Sequence, residues 1–242
     1  MDQSTARVAV ITGASSGIGA ATARALAADG YKVALLARRL DRIEAIAQEL
    51  SNGSIAVRAD VTDRDQLVVA ARRVQDELGG ADVLVNNAGT MLLGPFSSAR
   101  REDYRAMIEA NLLGAITTTE VFLDQLKNGG GDLLNVSSVA GRTARATNGV
   151  YAATKWGING WSESLRQELL PDVRVTLIEP GVVDTDLPTH ITDDATREAV
   201  QKGYDAATVK PEEVAEIIGF VLARPRHLVI NEVLLRPADQ LG

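Results

Sequence analysis

Short apolar runs alternate with longer stretches of helical periodicity along this chain of 242 residues. Most of the apolar runs have hydrophobic residues at consecutive positions, which is typical of parallel strands that helices cover on both faces. The candidate strands occupy residues 8–12, 32–37, 54–59, 82–86, 132–137, 173–179 and 227–235. The candidate helices occupy residues 18–29, 40–50, 63–78, about 101–126, about 150–169 and 211–223. Strand and helix therefore follow one another as repeated βαβ units.

This alternation leaves few topologies, because crossovers between parallel strands are right-handed. We predict an α/β fold: a Rossmann-like three-layer sandwich whose doubly wound, parallel, seven-stranded sheet carries helices on both faces. With 45% hydrophobic residues, a chain of this length buries a full core. The sequence shows neither an internal repeat nor an interdomain linker, so we predict one domain over residues 1–242.

Charge and composition narrow the class of partner. A formal net charge of -7 argues against a nucleic-acid partner or an anionic membrane surface, since both attract basic proteins. The chain has no cysteine and two histidines, so we expect neither disulfides nor a metal site. The polar start MDQSTAR leads into an apolar run too short for a signal peptide or a membrane span. We therefore expect a soluble, cytoplasmic protein that binds a small molecule.

The stretch TGASSGIG, residues 12–19, joins the first candidate strand to the first candidate helix. A helix N-terminus offers unpaired N–H groups and a positive dipole end, and glycines allow a pyrophosphate to approach the backbone. A structural turn with the same glycines is the alternative. As a nucleotide site, the stretch would contribute Gly13, Ser15, Ser16, Gly17, Ile18 and Gly19.

Further motifs follow in order: Asp60 in ADV, NNAG at residues 86–89, Asn111 in ANLLG, Ser137 and Ser138 in NVSSVAG, Tyr151 and Lys155 in YAATK, and Pro180 and Gly181 followed by Thr185. Together with TGASSGIG, this series resembles the short-chain dehydrogenase/reductase family over roughly residues 7–235. The sequence is also similar to the NADP-dependent branch that contains clavulanic acid dehydrogenase and 3-hydroxy acid (serine) dehydrogenases. That similarity rests on ARR at 37–39, NNAGTMLLGP at 86–95, THIT at 189–192 and EVLLRPADQ at 232–240.

The residues themselves favour proton transfer coupled to hydride transfer. Tyr151 and Lys155 are four residues apart on a predicted helix, so their side chains share one face. A nearby ammonium and an oxidised nicotinamide ring would lower the pKa of the Tyr151 phenol and suit it to exchange a proton. Ser138 follows a predicted strand, where its hydroxyl could bind a substrate carbonyl oxygen as charge develops. Ser137 is the competing hydroxyl, and the family spacing favours Ser138.

The resemblance implies further roles. Asn111 would support Lys155 through a water and complete a proton relay. The remaining nucleotide contacts carried over by position are Asp60 and Val61 near the adenine, Asn87, Ala88 and Gly89 along the ribose and diphosphate, Pro180, Gly181 and Val183, and Thr185 at the carboxamide. Asp60 could instead only form a turn before Thr62, the expected cap of the next helix.

The end of the second strand predicts which nicotinamide cofactor is used. NAD-binding proteins of this architecture carry an acid there, whereas a 2′-phosphate favours arginine. This chain has Arg38 and Arg39, with no carboxylate before Asp41. Arginines grip a phosphate by bidentate hydrogen bonds, so NADP(H) is the predicted cofactor. The alternative is that both arginines only solvate the start of a helix.

The substrate side is less constrained. Residues 182–205 are mostly polar and follow the sixth strand, as a lid over a cleft would. An apolar wall could come from Met91, Leu92, Leu93 and Trp156, although each also suits core or subunit packing. A polar substrate group could meet Arg142, Arg145, Asn148 and His190, for which surface solvation is the alternative.

The resemblance also implies a homo-oligomer, a dimer or tetramer. Apolar residues for its contacts are available at Leu112, Leu113, Ile116, Phe122, Leu123, Trp161, Leu165 and Leu169. For function, the motifs predict an NADP(H)-dependent carbonyl reductase or alcohol dehydrogenase. The alternatives are a non-catalytic NADP(H)-binding sensor or scaffold, and an epimerase or dehydratase on the same fold. A sensor would be free to lose Ser138, Tyr151 or Lys155, and this chain retains all three.

Overall fold

The fold was analysed in a computed structural model that describes residues 6–206 and 208–240. The ends of the predicted domain, including most of the polar N-terminal stretch, lie outside those residues. The strands are β1 (Val8–Thr12), β2 (Lys32–Ala37), β3 (Ile55–Arg58), β4 (Val83–Asn86), β5 (Asp132–Val136), β6 (Arg174–Pro180) and β7 (Glu232–Leu235). The helices are α1 (Gly17–Ala28), α2 (Leu40–Leu50), α3 (Arg64–Leu78), α4 (Arg101–Ile108), α5 (Gly114–Lys127), α6 (Gly149–Leu169), α7 (Asp194–Ala206) and α8 (Pro211–Leu222).

All strand pairs are parallel, and the strand order is β3-β2-β1-β4-β5-β6-β7. The chain builds the sheet outward from β1 in one direction and then returns to start β4 on its other side. The carboxyl ends of β1 and β4 therefore form a topological switch point, where sheets of this type bind ligands. The predicted seven-stranded, doubly wound α/β sandwich is confirmed.

The core lies on both faces of the sheet. Because neighbouring residues of a strand point to opposite faces, Val10 and Ile11 of β1 enter different layers. One layer joins the sheet to α1, α2 and α8 and contains Leu26, Ile43, Val85, Ile178 and Ile218. The other joins it to α3, α5 and α6 and contains Leu67, Leu84, Phe122, Leu133 and Leu169. The full burial of both layers fixes the position of every strand end at the switch point.

The last strand is shorter than the sequence predicts. The apolar run at residues 227–235 suggested a long strand, but only Glu232–Leu235 pairs with β6. The Arg174 guanidinium explains the difference, since its Nη1 donates to the carbonyl oxygens of Arg224, Pro225 and Leu228 at 2.9, 3.3 and 3.1 Å. The chain wraps around this buried cation before it can join the sheet.

Two helical segments differ from expectation. The polar stretch 182–205, predicted as a lid and not among the candidate helices, contains a 3₁₀ turn at Leu187–His190 and most of α7. The long helix predicted near 101–126 is continuous from α4 to α5 but widens into a π segment at Glu109–Leu113. Within residues 6–206 and 208–240, Arg101–Lys127 is the one helical stretch long and apolar enough to cross a membrane. Its two halves pack against β4, β5, α3 and α6, as a helix of a layered fold does.

Candidate active site

A cavity of about 1180 Å³ opens at the carboxyl ends of the central strands. The loops that follow β1, β4, β5 and β6 line it, and α6 and α7 close its far side. The predicted site residues that line it are Gly13, Ser15, Ser16, Gly17, Ile18, Arg38, Arg39, Asp60, Val61, Asn87, Ala88, Gly89, Ser138, Tyr151, Lys155, Pro180, Gly181, Val183 and Thr185. Gly19 and Asn111, the other two predicted site residues, are not among the described lining residues.

The glycine turn leaves the start of α1 open to the cavity. Ser16 precedes the helix with extended backbone and forms no side-chain cap, so the first N–H groups of α1 lack that partner. The dipole of α1 adds positive potential there, which suits an anionic group such as a diphosphate. The residues of this turn fit the nucleotide that the sequence predicts.

Two of the glycines are also required by packing. Gly13 has a φ of +65°, and a Cβ added to it would lie 2.9 Å from the Ala88 Cα. A Cβ on Gly19 would lie 2.5 Å from the Gly13 carbonyl oxygen. The Asn87 Nδ2 braces the same turn by donating to the Thr12 carbonyl oxygen at 2.9 Å. Gly13 both forms this turn and lines the cavity, so the turn and the phosphate-cradle interpretations do not exclude each other.

Three polar side chains meet where β5 and α6 enter the cavity. Ser138 begins a 3₁₀ turn at Val139–Gly141, and its Oγ accepts from the Ala140 N–H at 3.1 Å. The Tyr151 phenol lies near the Ser138 side chain, whose hydrogen-bonding influence lowers the pKa of the phenol. The Lys155 Nζ donates to the Val136 carbonyl oxygen at 2.9 Å and lies 5.8 Å from the centre of the Tyr151 ring. A serine, a tyrosine and a lysine thus converge on one wall of the cavity.

The competing serine points elsewhere. The Ser137 Oγ donates to the Asn159 Oδ1 at 2.6 Å, and the residue is buried between β5 and α6. Its hydroxyl is therefore engaged in packing, whereas that of Ser138 reaches Tyr151. This geometry favours Ser138 as the hydroxyl next to the reacting group.

Burial shifts the pKa of the tyrosine and the lysine in opposite directions. It raises the pKa of the Tyr151 phenol to about 12, against a smaller lowering by the Ser138 hydrogen bond. It lowers the pKa of the Lys155 ammonium to about 8. Both shifts favour the neutral form, as expected for groups removed from water. The predicted lowering of the Tyr151 pKa depended on an ammonium together with an oxidised nicotinamide ring, and in the protein alone desolvation sets the opposite direction.

Asn111 sits in the π segment between α4 and α5, with its side chain fully bonded. Its Oδ1 accepts from the Thr90 N–H at 2.7 Å, and its Nδ2 donates to the Thr90 carbonyl oxygen at 2.9 Å and to the Thr154 Oγ1 at 3.2 Å. An amide has two N–H donors, and both are used. A relay through Asn111 would therefore run through its main-chain carbonyl rather than its side chain.

The two arginines after β2 occupy different environments. The Arg39 guanidinium donates to the Ser15 and Ser16 hydroxyls, with Nη2 at 2.8 and 2.9 Å from the two oxygens. Arg38 is 79% exposed at its side chain, and its Nη1 lies 4.0 Å from the Asp60 Oδ2. Asp60 accepts from the Thr62 N–H and hydroxyl, so it forms the turn that was its alternative role. The expected cap Thr62 is wrong, because Asp63 caps α3 by accepting from two N–H groups.

The substrate side of the cavity mixes apolar and polar walls. Met91, Leu92 and Leu93 line it, whereas Trp156 does not line it and is 54% exposed. The polar candidates Arg145, Asn148 and His190 also line it. Arg142 does not, because its guanidinium binds the Glu179 carboxylate at 2.8 Å and also pairs with Glu232. A pocket-mouth role for Arg142 is therefore wrong.

Several lining residues were not named as candidates from the sequence, among them Tyr204 and Gln240. Tyr204 of α7 lines the cavity. Burial raises the pKa of the Tyr204 phenol, and the nearby Tyr151 phenol raises it further by a smaller amount. The Gln240 Oε1 accepts from the Val182 N–H at 2.9 Å and so ties the segment after β7 to the loop after β6. A helical stripe at residues 196, 199, 200, 203 and 204 was the available signal for α7. Nothing in the sequence places Gln240 there.

Comparison with known proteins gives matches along almost the whole chain. Residues 7–196 match the family model described as short chain dehydrogenase. Over 239 residues the chain is 34% identical to an uncharacterized oxidoreductase of Staphylococcus saprophyticus, and the match covers 97% of both chains.

Two solved structures are similar in both sequence and fold. An alcohol dehydrogenase from the archaeon Thermococcus sibiricus, complexed with 5-hydroxy-NADP, is 36% identical with a TM-score of 0.88 and is matched over 98% of both chains. The closed form of a serine dehydrogenase complexed with NADP+ is 32% identical with a TM-score of 0.90. That match covers 97% of this chain and 96% of the other.

Proposed function

The chain belongs to the short-chain dehydrogenase/reductase family of oxidoreductases, and from that premise we propose that it interconverts a carbonyl and an alcohol with NADP(H). The observation that carries this proposal is the convergence of Ser138, Tyr151 and Lys155 on one wall of the cavity. An aldehyde, a ketone or a keto acid is the substrate class. The wall sits beside the glycine turn that suits a diphosphate.

In the reductive direction, each residue has a distinct part. The glycine turn, Arg38 and Arg39 would hold NADPH, which when bound would supply the hydride that the carbonyl carbon takes up. Tyr151 gives its phenolic proton to the carbonyl oxygen, which becomes the alcohol hydroxyl. Ser138 donates a hydrogen bond to that oxygen while it carries negative charge. The Lys155 ammonium stabilises the phenolate that remains, and Asn111 links Lys155 to solvent through a water on its main-chain carbonyl.

Turnover is tested directly by absorbance. Incubation with NADPH and a panel of aldehydes, ketones and β-keto acids should oxidise NADPH. Tyr151→Phe should lower kcat by about 10²–10⁴-fold, the usual contribution of a general acid, and leave the NADPH dissociation constant within about twofold. A variant that keeps its rate would contradict the mechanism.

The same panel separates the alternatives. A sensor or scaffold binds NADPH without consuming it in the presence of any substrate. An epimerase or dehydratase changes its substrate without net NADPH consumption, which product analysis detects. Net oxidation of NADPH with formation of an alcohol is the outcome expected here.

The preference for NADP(H) rests on the arginines that follow β2. Arg38 is exposed at the cavity edge, Arg39 lies against the glycine turn, and the two solved structures above are complexed with NADP+ or 5-hydroxy-NADP. Arg38→Asp should shift the ratio of kcat/KM values toward NADH, because a carboxylate repels a 2′-phosphate. Arg42→Asp, an exposed position on α2 outside the cavity lining, should leave the ratio unchanged. An unchanged ratio in both variants would contradict the assignment.

The remaining features of the proposal concern the whole protein. Residues 182–205, with most of α7, act as a lid that closes over the substrate. The protein works in the cytoplasm as a dimer or tetramer, for which Ile108, Leu113 and Trp156 supply exposed apolar surface.

A further inference from the structure

Asn159 continues the stripe of α6 that carries the reactive side chains. Tyr151, Lys155 and Asn159 are spaced by four residues, so they lie on one face of the helix. Asn159 is not among the described residues that line the cavity. Its amide therefore faces the loop after β5 from behind the site.

A single amide holds both ends of the turn that contains Ser138. The Asn159 Oδ1 accepts from the Ser137 Oγ at 2.6 Å, directly before Ser138. The Asn159 Nδ2 donates to the Gly141 carbonyl oxygen at 3.2 Å, at the end of the same turn. The segment 137–141 is thus fastened to α6 on either side of the Ser138 hydroxyl.

A buried carboxylate fixes the orientation of this amide. The Asn159 Nδ2 also donates to the Glu179 Oε1 at 2.6 Å, and the Glu179 side chain is fully buried. Carboxylate and carbonyl oxygens only accept, so the amide nitrogen must face Glu179 and Gly141, and the amide oxygen must face Ser137. Arg142 holds Glu179 in place through two hydrogen bonds of 2.8 Å.

We propose that Asn159, oriented by Glu179, is a positioning residue that sets the Ser138 hydroxyl against the Tyr151 phenol. This inference rests on the proposed function, because it assigns Asn159 an effect on the rate of the Ser138 and Tyr151 chemistry. A displacement of about 1 Å at a reacting group costs about 10²-fold in rate. A turn tied to α6 at both ends holds Ser138 against such a displacement.

The test is a double-mutant cycle on kcat. Asn159→Ala should lower kcat by about tenfold or more, with the NADPH dissociation constant within about twofold of wild type. In a Ser138→Ala background, Asn159→Ala should have no further effect on kcat, because the hydroxyl that Asn159 positions is already absent. A merely structural role would lower kcat by the same factor in both backgrounds.

Ser162→Ala is the matched control. Ser162 is a buried residue of α6 whose Oγ accepts from the Asn135 Nδ2 at 2.8 Å, away from the Ser138 turn. It should lower the thermal midpoint while kcat stays within about twofold. Ser137→Ala, which removes one of the two ties with little change in volume, should lower kcat in the same direction as Asn159→Ala and serves if Asn159→Ala does not fold.

The outcomes separate this inference from the proposed function. A wild-type protein that does not oxidise NADPH with any carbonyl substrate overturns both. An active wild type whose kcat is unchanged in Asn159→Ala and Ser137→Ala, or equal losses in both backgrounds of the cycle, overturns only the positioning role.

Discussion

Tyr151 and Lys155 show how one environment prepares two residues for different tasks. Burial keeps the proton on the Tyr151 phenol, which is the form that the proposed general acid requires. The same burial brings the pKa of Lys155 down to about 8, so its charge changes between neutral and mildly alkaline pH. The charge of the lysine is therefore the part of the site that pH controls most directly.

The rate of carbonyl reduction should fall with rising pH. Below pH 7 Lys155 is an ammonium and Tyr151 holds its proton, so kcat/KM for the carbonyl should be constant. Above about pH 8 the ammonium is lost, and kcat/KM should fall about tenfold per pH unit, since this profile reports groups of the free enzyme. Tyr151, with a pKa of about 12, does not contribute below pH 10.

Lys155→Arg supplies the control for this profile. Arginine keeps its charge throughout the range, so the residual activity of the variant should lack the break near pH 8. A wild-type profile that stays flat to pH 10 would show that the charge of Lys155 does not act in the reductive step.

At the scale of the elements, the sequence predicts those strands and helices whose buried residues recur with a regular hydrophobic period. The runs 8–12 and 32–37 and the helix at 40–50 were predicted at their observed bounds, because their hydrophobic periodicity is uninterrupted. The start of β7 and the π segment could not be predicted. The start of β7 depends on the Arg174 cation, which is distant in sequence. The π segment adds about one residue per turn and leaves the apolar pattern of the helix almost unchanged.

The location of the candidate site could be predicted because the topology of the sheet brings its loops together. The loops after parallel strands meet at one edge of the sheet, so the strand order together with the family resemblance brings the motifs after β1, β4, β5 and β6 to one place. The partner of a long side chain, by contrast, could not be predicted from the order of the strands. Arg142 was a candidate for the substrate until Glu179, on a strand 37 residues away, proved to hold it. Tyr204 was hidden in a stretch whose polar composition masks a helix.

A buried carboxylate ties several elements together at the opposite edge of the sheet. Asp132 of β5 pairs with Arg174 of β6 at 2.6 Å and with Arg7, just before β1, at 2.7 Å. Removing the charge of Asp132 would leave the buried Arg174 guanidinium without its counter-ion. We expect Asp132→Asn to reduce the free energy of unfolding by about 3–5 kcal/mol, measured by urea denaturation.

An exposed ion pair gives the comparison. Glu77→Gln breaks a pair with Arg73 on the surface of α3, where solvent screening makes such contacts weak. Its unfolding midpoint should match wild type within error. An Asp132→Asn protein equally close to wild type would mean that the arginines find other partners.

At the scale of the whole molecule, the helices beside the active site leave apolar surface uncovered. Leu113 is 53% exposed at the end of the π segment, and Trp156 is 54% exposed on α6, which packs against that segment. By contrast Phe122 and Leu169, two residues considered for subunit contacts, are buried in the core of the protomer. Among the residues predicted for subunit contacts, Leu113 is therefore available at the surface, whereas Phe122 and Leu169 are not.

Leu113→Glu should dissociate the oligomer. Sedimentation velocity at micromolar concentration should show a dimer or tetramer for wild type and a monomer for the variant, because a carboxylate buried without a partner is costly at an interface. Val69→Glu is the matched control, since Val69 is 55% exposed on α3 and lies away from these helices. A wild-type monomer would contradict the proposed assembly, and loss of assembly in Val69→Glu alone would move the interface to α3. Because the π segment also carries Asn111, the dissociated variant should lose activity in parallel if contact between subunits holds that segment in place.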